Sequence, residues 1–167
     1  MRDCIDMIVS DSSPIINFGK QGVLDILKKC FGKVIIPRAV YDEIIIKKES
    51  VEVKSLEKYV SEGWITIEET AINPILNTQN LGNGEKEAIS LASNQNSVLL
   101  IDDNIAKSYA SLLGVECHGT IWAIYISILK GFMDKEKARK LLEAMIREGF
   151  YVSTEIYVGF INRLETM

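Results

Sequence analysis

Carboxylates fall at places in this chain where buried strands ought to end. Asp11 closes the apolar run "MIVSD" (7–11), immediately before Ser12, Ser13 and Pro14. Asp102 and Asp103 close another run, "SVLLIDD" (97–103). Glu43 lies about two turns into a helical pattern that opens at Pro37, and Glu85 and Glu87 fall in the first turn of the pattern opening at "GNGE". Each has a bland explanation when taken alone. A first-turn glutamate favours the helix dipole, and Asp11 can cap a turn running to Pro14 through an Asx-type hydrogen bond. Taken together they say more, because carboxylates crowded at one edge repel and are driven to protonate. A hard cation such as Mg2+ or Mn2+ removes that penalty, since carboxylates and water are its preferred ligands. Held in this way it activates water and neutralises charge on a phosphodiester, so the pattern points to metal-dependent phosphoryl chemistry.

The elements that must position these residues are legible as β-rich runs alternating with helical patterns. The runs are "CIDMIVS" (4–10), "KVIIP" (33–37), "WITIEE" (64–69), "SVLLID" (97–102) and "GVECH" (114–118). Helical spacing is found at 22–31, 37–48 and 52–63, the last closed by Gly63, and again from about Gly84 to Ser93 and over 104–114. Such alternation predicts an α/β fold, a central mostly parallel sheet of four to five strands flanked by helices. Ligands of parallel sheets bind at the carboxyl ends of the strands, where Asp11, Asp102 and Asp103 fall. The last 50 or so residues read as helices (120–131, 135–149 and 153–165), with Asp134 and Ser153 as N-caps. No repeat or linker interrupts the chain, so 1–167 is expected to be one domain, its core at about 7–118 and a helical C-terminal part at about 119–165.

Composition narrows the class without naming a function. The 167 residues are 47% hydrophobic and 25% charged, with a net charge of −4, an ordinary globular balance. That charge argues against a broadly basic nucleic-acid coat but leaves room for a local basic groove. Cys4, Cys30 and Cys117 form no CxxC pair and sit in apolar settings, as reduced, buried thiols do. Asp3 and Asp6 stand where a signal peptide needs apolar residues, and "TIWAIYISIL" (120–129) is too short to span a bilayer. A cytoplasmic protein without membrane contact is the expectation.

The ordered motifs "IVSDSS" before Pro14, "VIIPRAVYDEI", "LGNGEKEAISLA" and "VLLIDDNIAKSYA", with the tail from "GTIWAIYISILKG" onward, resemble the PIN domain family. Within it they are most similar to the VapC-like branch, whose pattern is Asp-Ser-Ser-Pro-Leu-Ile, then IPxxVxxE, GxGExEA and LLDDxxAR. The likeness runs from about residue 8 to 164. It implies a PIN-like three-layer fold and a Mg2+- or Mn2+-dependent ribonuclease site of three or four acids, in the toxin of a toxin–antitoxin pair. Its partners would be RNA, a small antitoxin protein and a second copy of the chain in a homodimer. Residue by residue, Asp11 matches the first acid and Glu43 the second. Glu85 matches the third through "GxGE", whereas Glu87 matches it by preceding "AI". Asp102 and Asp103 match the final pair, and Ser13 a polar position that can hydrogen-bond a carboxylate. Lys107 stands where many relatives carry arginine, keeping the charge for phosphate but losing the bidentate fork.

Other features carry less. His118, at the end of the last run, reads as a structural strand-end residue before a proton carrier. "GNGE" lacks the third glycine of a dinucleotide loop and follows no strand. "KKES" (47–50) and "KEKARK" (135–140) read as solvated helix faces or RNA contacts. Phe150, Tyr151, Tyr157 and Phe160 are expected in the core, and would mark a partner surface if exposed. A non-catalytic PIN-like module holding RNA or protein is the alternative function. A receiver-type domain needs its acidic pair after the first strand, which this chain lacks.

Overall fold

The computed structural model describes residues 5–167. The strands β1 (Met7–Ser10), β2 (Lys33–Pro37), β3 (Ile65–Glu68), β4 (Val98–Leu100) and β5 (Cys117–His118) form one parallel sheet in the order β3-β2-β1-β4-β5. Val34, Ile35 and Ile36 are all buried in succession, as are Ile8 and Val9 and then Leu99, Leu100 and Ile101. Successive residues of a strand face opposite sides, so both faces are covered. This is the α/β architecture expected from the sequence, a parallel sheet flanked by helices.

Nine α-helices cover the sheet among the described residues. They are α1 (Ser12–Lys20), α2 (Asp25–Phe31), α3 (Arg38–Ile45), α4 (Val51–Glu62), α5 (Asn83–Gln95), α6 (Asn104–Leu112), α7 (Thr120–Leu129), α8 (Lys135–Arg147) and α9 (Thr154–Thr166). Asp134 and Ser153 cap α8 and α9 with side-chain acceptors for Lys137 N–H and Ile156 N–H, and Gly63 ends α4 at φ +87°, where glycine carries no Cβ penalty. Helix α9 is tied back by Tyr157, whose hydroxyl donates to Glu143 at 2.8 Å, and by Phe160, whose ring lies 5.2 Å from that of Tyr125.

Three expectations change. The turn expected over 11–14 is the start of helix α1: Pro14 sits in its first turn, where a backbone N–H has no intrahelical partner to lose. Tyr151 is 87% exposed, not core, whereas Phe160 is buried and Phe150 and Tyr157 are half-buried. Cys117 is half-buried, whereas Cys30 is buried; both are free thiols. Cys4, the expected third buried thiol and the start of the first run, lies outside the described residues. Among those residues, no helix is long and apolar enough to cross a membrane.

The close crossing of α1 over α4 depends on Gly19. A Cβ there would lie 2.9 Å from Glu52 Cβ and 3.1 Å from its Cα, too near for the helices to stay in place. Gly19→Ala is therefore expected to lower unfolding free energy by about 1–2 kcal/mol, despite a helix-propensity gain of about 1 kcal/mol. Chemical denaturation measures this, and a net stabilisation would contradict the packing argument.

Candidate metal centre

Topology brings two of the acids together. The chain lays β2 and β3 on one side of β1, then returns to place β4 and β5 on the other. Ligand crevices form at such a switch point, beyond the carboxyl ends of the strands. Ser10 pairs with Leu100, and the Asp11 amide donates to the Leu100 carbonyl at 2.8 Å. Asp11 and Asp102 consequently leave the sheet at the same level from adjacent strands.

Asp11 occupies the N-cap position of α1 but its side chain makes no capping hydrogen bond. The Asx-type cap is thus absent, and Pro14 explains much of this: at N3 it has no N–H to offer. Asp11 is only 5% exposed, and its Oδ1 is buried without a hydrogen-bond partner. Burial, and then the charges of Glu85, Glu43 and Asp102, push its pKa from 3.8 up to about 7, although the Ser12 backbone N–H pulls the other way.

Asp102 is held by three donors. Ser13 Oγ donates at 2.8 Å, Thr120 N–H at 2.7 Å and Thr120 Oγ1 at 2.7 Å. The carboxylate therefore also satisfies the N-terminus of α7, where a negative charge is favoured. Behind it, Asn17 Nδ2 donates to Ser13 Oγ at 3.3 Å and to Thr120 Oγ1 at 3.4 Å. Sequence reasoning missed Asn17 and Thr120. Asn17 was findable as the residue one turn beyond Ser13, had α1 been read as a helix; Thr120 had no such signal.

Glu43 is seated on α5. Its Oε1 accepts from Gly84 N–H at 3.1 Å, and a Cβ on Gly84 would fall 2.6 Å from that same oxygen. The glycine of "GNGE" makes room for a carboxylate. Glu85 Oε2 accepts from Gly82 N–H at 3.0 Å, and burial followed by the charges of Asp103 and Glu43 raises the pKa of Glu85. Glu87 is directed elsewhere, its Oε2 accepting from Ala39 N–H at 2.9 Å at the start of α3. Asp103 Oδ1 caps α6 through Ala106 N–H at 2.8 Å.

A cleft of about 690 Å³ opens over this group, lined by Asp11, Ser13, Glu85, Asp102 and Asp103 among others. Glu43 lies beside it without lining it. Lys107 Nζ and Asp102 Oδ1 both border Gly119, at 3.3 and 2.8 Å from where its Cβ would stand. A larger cavity of about 1190 Å³ lies apart and contains none of the six candidate acids. His118 lines that one, stacked on Trp122 at 4.0 Å and bonded to Glu116 at 3.0 Å. The residues of "KEKARK" form pairs along their own helix: Arg139 with Glu136 and Glu143, Lys140 with Glu136, and Lys137 with Asp134.

Whether this group suits a divalent cation can be judged from its donors. Among the described residues no three His, Cys, Asp or Glu side chains stand close enough around one point to hold an ion. Like charges hold one another apart, and Glu43, Glu85 and Asp102 lean on amide donors instead. The unpartnered buried oxygen of Asp11, with other carboxylates around it and hard oxygen donors throughout, fits a hard cation nonetheless.

A family model described as "DUF3368: PIN domain" matches residues 7–166. The chain belongs to the PIN domain family, whose members are commonly nucleases. Among solved structures it is similar to a PilT N-terminus domain protein from the archaeon Sulfolobus solfataricus P2, with 17% identity and a TM-score of 0.48 over 88% of this chain and 99% of that one. It is also similar to a domain of a functionally unknown protein from Methanocaldococcus jannaschii DSM 2661, with 22% identity and a TM-score of 0.48 over 68% of this chain and 90% of that one. No curated protein matches the chain.

The raised pKa of Asp11 fixes a pH dependence. Because the folded protein holds this proton more tightly than the unfolded chain, stability without divalent cations falls as pH rises from about 4 to about 7. The full shift corresponds to at most about 4 kcal/mol. Asp11→Asn, which cannot ionise, should escape that loss and be more stable than the parent at pH 8 in chelator. Denaturation at several pH values measures it; parallel pH curves for parent and variant would contradict the assignment.

Proposed function

We propose that the protein is a Mg2+- or Mn2+-dependent endoribonuclease, the toxin of a VapBC-like toxin–antitoxin pair acting in the cytoplasm. The observation that carries the catalytic part is the buried, unpartnered Asp11 oxygen amid the charges of Glu43, Glu85 and Asp102. These four residues are the proposed cation ligands, with Asp103 at the rim as an auxiliary. Glu87 is the weaker candidate, its carboxylate being engaged at α3. When bound, the cation would supply activation of water and neutralisation of phosphate charge.

The chain's own residues do the rest. Ser13 and Thr120 hold the Asp102 carboxylate in one orientation, so that it need not be ordered during the reaction. Asp11 presents its free oxygen from a buried position that excludes competing solvent. Lys107 offers one positive charge to substrate phosphate near Asp102. Hydrolysis forms one P–O bond from water and breaks one to the departing ribose oxygen. A small antitoxin covering the cleft and a homodimer are proposed on the family resemblance alone.

A non-catalytic module is favoured by one observation: the acids do not close to ligand spacing. Metal-stimulated turnover decides between the two. The purified protein is expected to cleave single-stranded RNA with Mg2+ or Mn2+ and not in chelator, and Asp11→Asn to lose on the order of 100-fold or more in rate. Equal cleavage by parent and Asp11→Asn would remove the ligand assignment.

Gly84 provides an independent check on Glu43. Gly84→Ala should displace Glu43 and weaken Mn2+ affinity about tenfold in calorimetry, in the range for groups that support a ligand. Gly82→Ala, whose Cβ would meet only Glu85 Oε2 at 3.8 Å, should leave it unchanged. Equal affinities for the two variants would exclude Glu43 as a ligand.

A further inference from the structure

The turn between α8 and α9 reaches the acid cleft. Glu148, Gly149, Phe150 and Tyr151 line it together with Asp11, Asp102 and Asp103. The turn is held in place at several points: Phe150 N–H donates to Met145 O at 2.9 Å, Gly149 adopts φ +103°, and Lys20 Nζ donates to Glu148 O at 3.3 Å. Phe150 packs against the core, while its neighbour Tyr151 is left 87% exposed. Ile105, in the first turn of α6 and lining the same cleft, is 63% exposed.

A single exposed aromatic is ordinary. Here a hydrogen-bonded turn brings one to a carboxylate cleft whose lining also holds a second exposed apolar side chain, Ile105, and Lys20. Those are the parts of a site for a single-stranded polynucleotide: a place for phosphate, a cation beside it and an apolar face for a base. A duplex keeps its bases stacked inside and offers such a face nothing, whereas an unpaired base can be laid on it.

Resting on the nuclease reading above, we infer that Tyr151, with Ile105 lining the same cleft, is a stacking platform for an unpaired nucleobase adjoining the phosphate at the acids. The turn ahead of the last helix thereby favours an unpaired strand over a duplex. Stacking is indifferent to base identity, so the platform grips without reading sequence. It acts on substrate binding and leaves the bond-breaking step to the acids.

The test uses single-stranded RNA carrying 2-aminopurine, with Ca2+ for fluorescence binding and Mg2+ for kinetics. The parent should quench the probe, and Tyr151→Ala should lose the quench. In kinetics Tyr151→Ala should raise KM about tenfold with kcat within about twofold, and Tyr151→Phe should keep both values. Duplex RNA of the same sequence should bind at least about tenfold more weakly than the single strand, and single-stranded DNA should quench like RNA, because the stack does not sense the 2′-hydroxyl. Parental quench and KM in Tyr151→Ala, in a protein that still cleaves RNA, overturn this inference and leave the nuclease reading intact. A parent that neither binds nor cleaves any RNA overturns both. Altered protein association in size-exclusion chromatography, with unchanged RNA kinetics, assigns the rim to a protein partner and also overturns it.

Discussion

A carboxylate buried among carboxylates is the constraint on which this structure turns. Asp11 is nearly inaccessible, one of its oxygens has no partner, and its pKa is pushed up to about 7. Folding alone gives no reason to keep such a group, since an apolar or amide side chain of similar size would remove the desolvation penalty. Its neighbours deepen the penalty instead of relieving it. The fold holds Asp11 and Asp102 at one sheet switch point, where β1 and β4 end side by side.

The scaffold answers each remaining acid with a donor. Helix N-termini do most of this: Glu87 bonds the start of α3, Glu85 the residue before α5, Asp103 the start of α6 and Asp102 the start of α7. Each pairing satisfies an amide that a helix leaves unpaired and places negative charge where the dipole welcomes it. Two glycines leave the space, Gly84 for Glu43 and Gly119 for Asp102. Of the six candidate acids only Asp11 keeps a buried oxygen unanswered, and Pro14, at N3 of the helix that Asp11 heads, has no N–H to offer it.

Much of this was legible in the sequence because parallel strands buried on both faces leave continuous apolar runs, and because acids interrupt those runs. All five strands and the acids at their ends could be placed, with ends shifting by a few residues. The stretch 11–14 was read as a turn because Asp11, Ser12, Ser13 and Pro14 are turn formers by local preference, and only packing on α4 shows a helix that tolerates proline in its first turn. The choice between Glu85 and Glu87 was likewise out of reach. Both read as first-turn residues from the sequence, but Glu85 turns back to the Gly82 amide while Glu87 reaches Ala39 N–H of α3, a neighbour distant in sequence. Tyr151 shows the same limit, since hydrophobicity predicts burial and only the anchored turn reveals exposure.

Shared occupation of these acids by one cation is the central claim, and proton linkage tests it most directly. At pH 6 an Asp11 with a pKa of about 7 is largely protonated, so a cation that takes its oxygen must displace that proton. Calorimetric titration with Mn2+ in buffers of different ionisation enthalpy counts the protons released. The account predicts release approaching one proton per Mn2+ at pH 6, fading to near zero by about pH 8.5 and absent in Asp11→Asn. Mn2+ binding with no proton release at pH 6, or no binding at all, would contradict it.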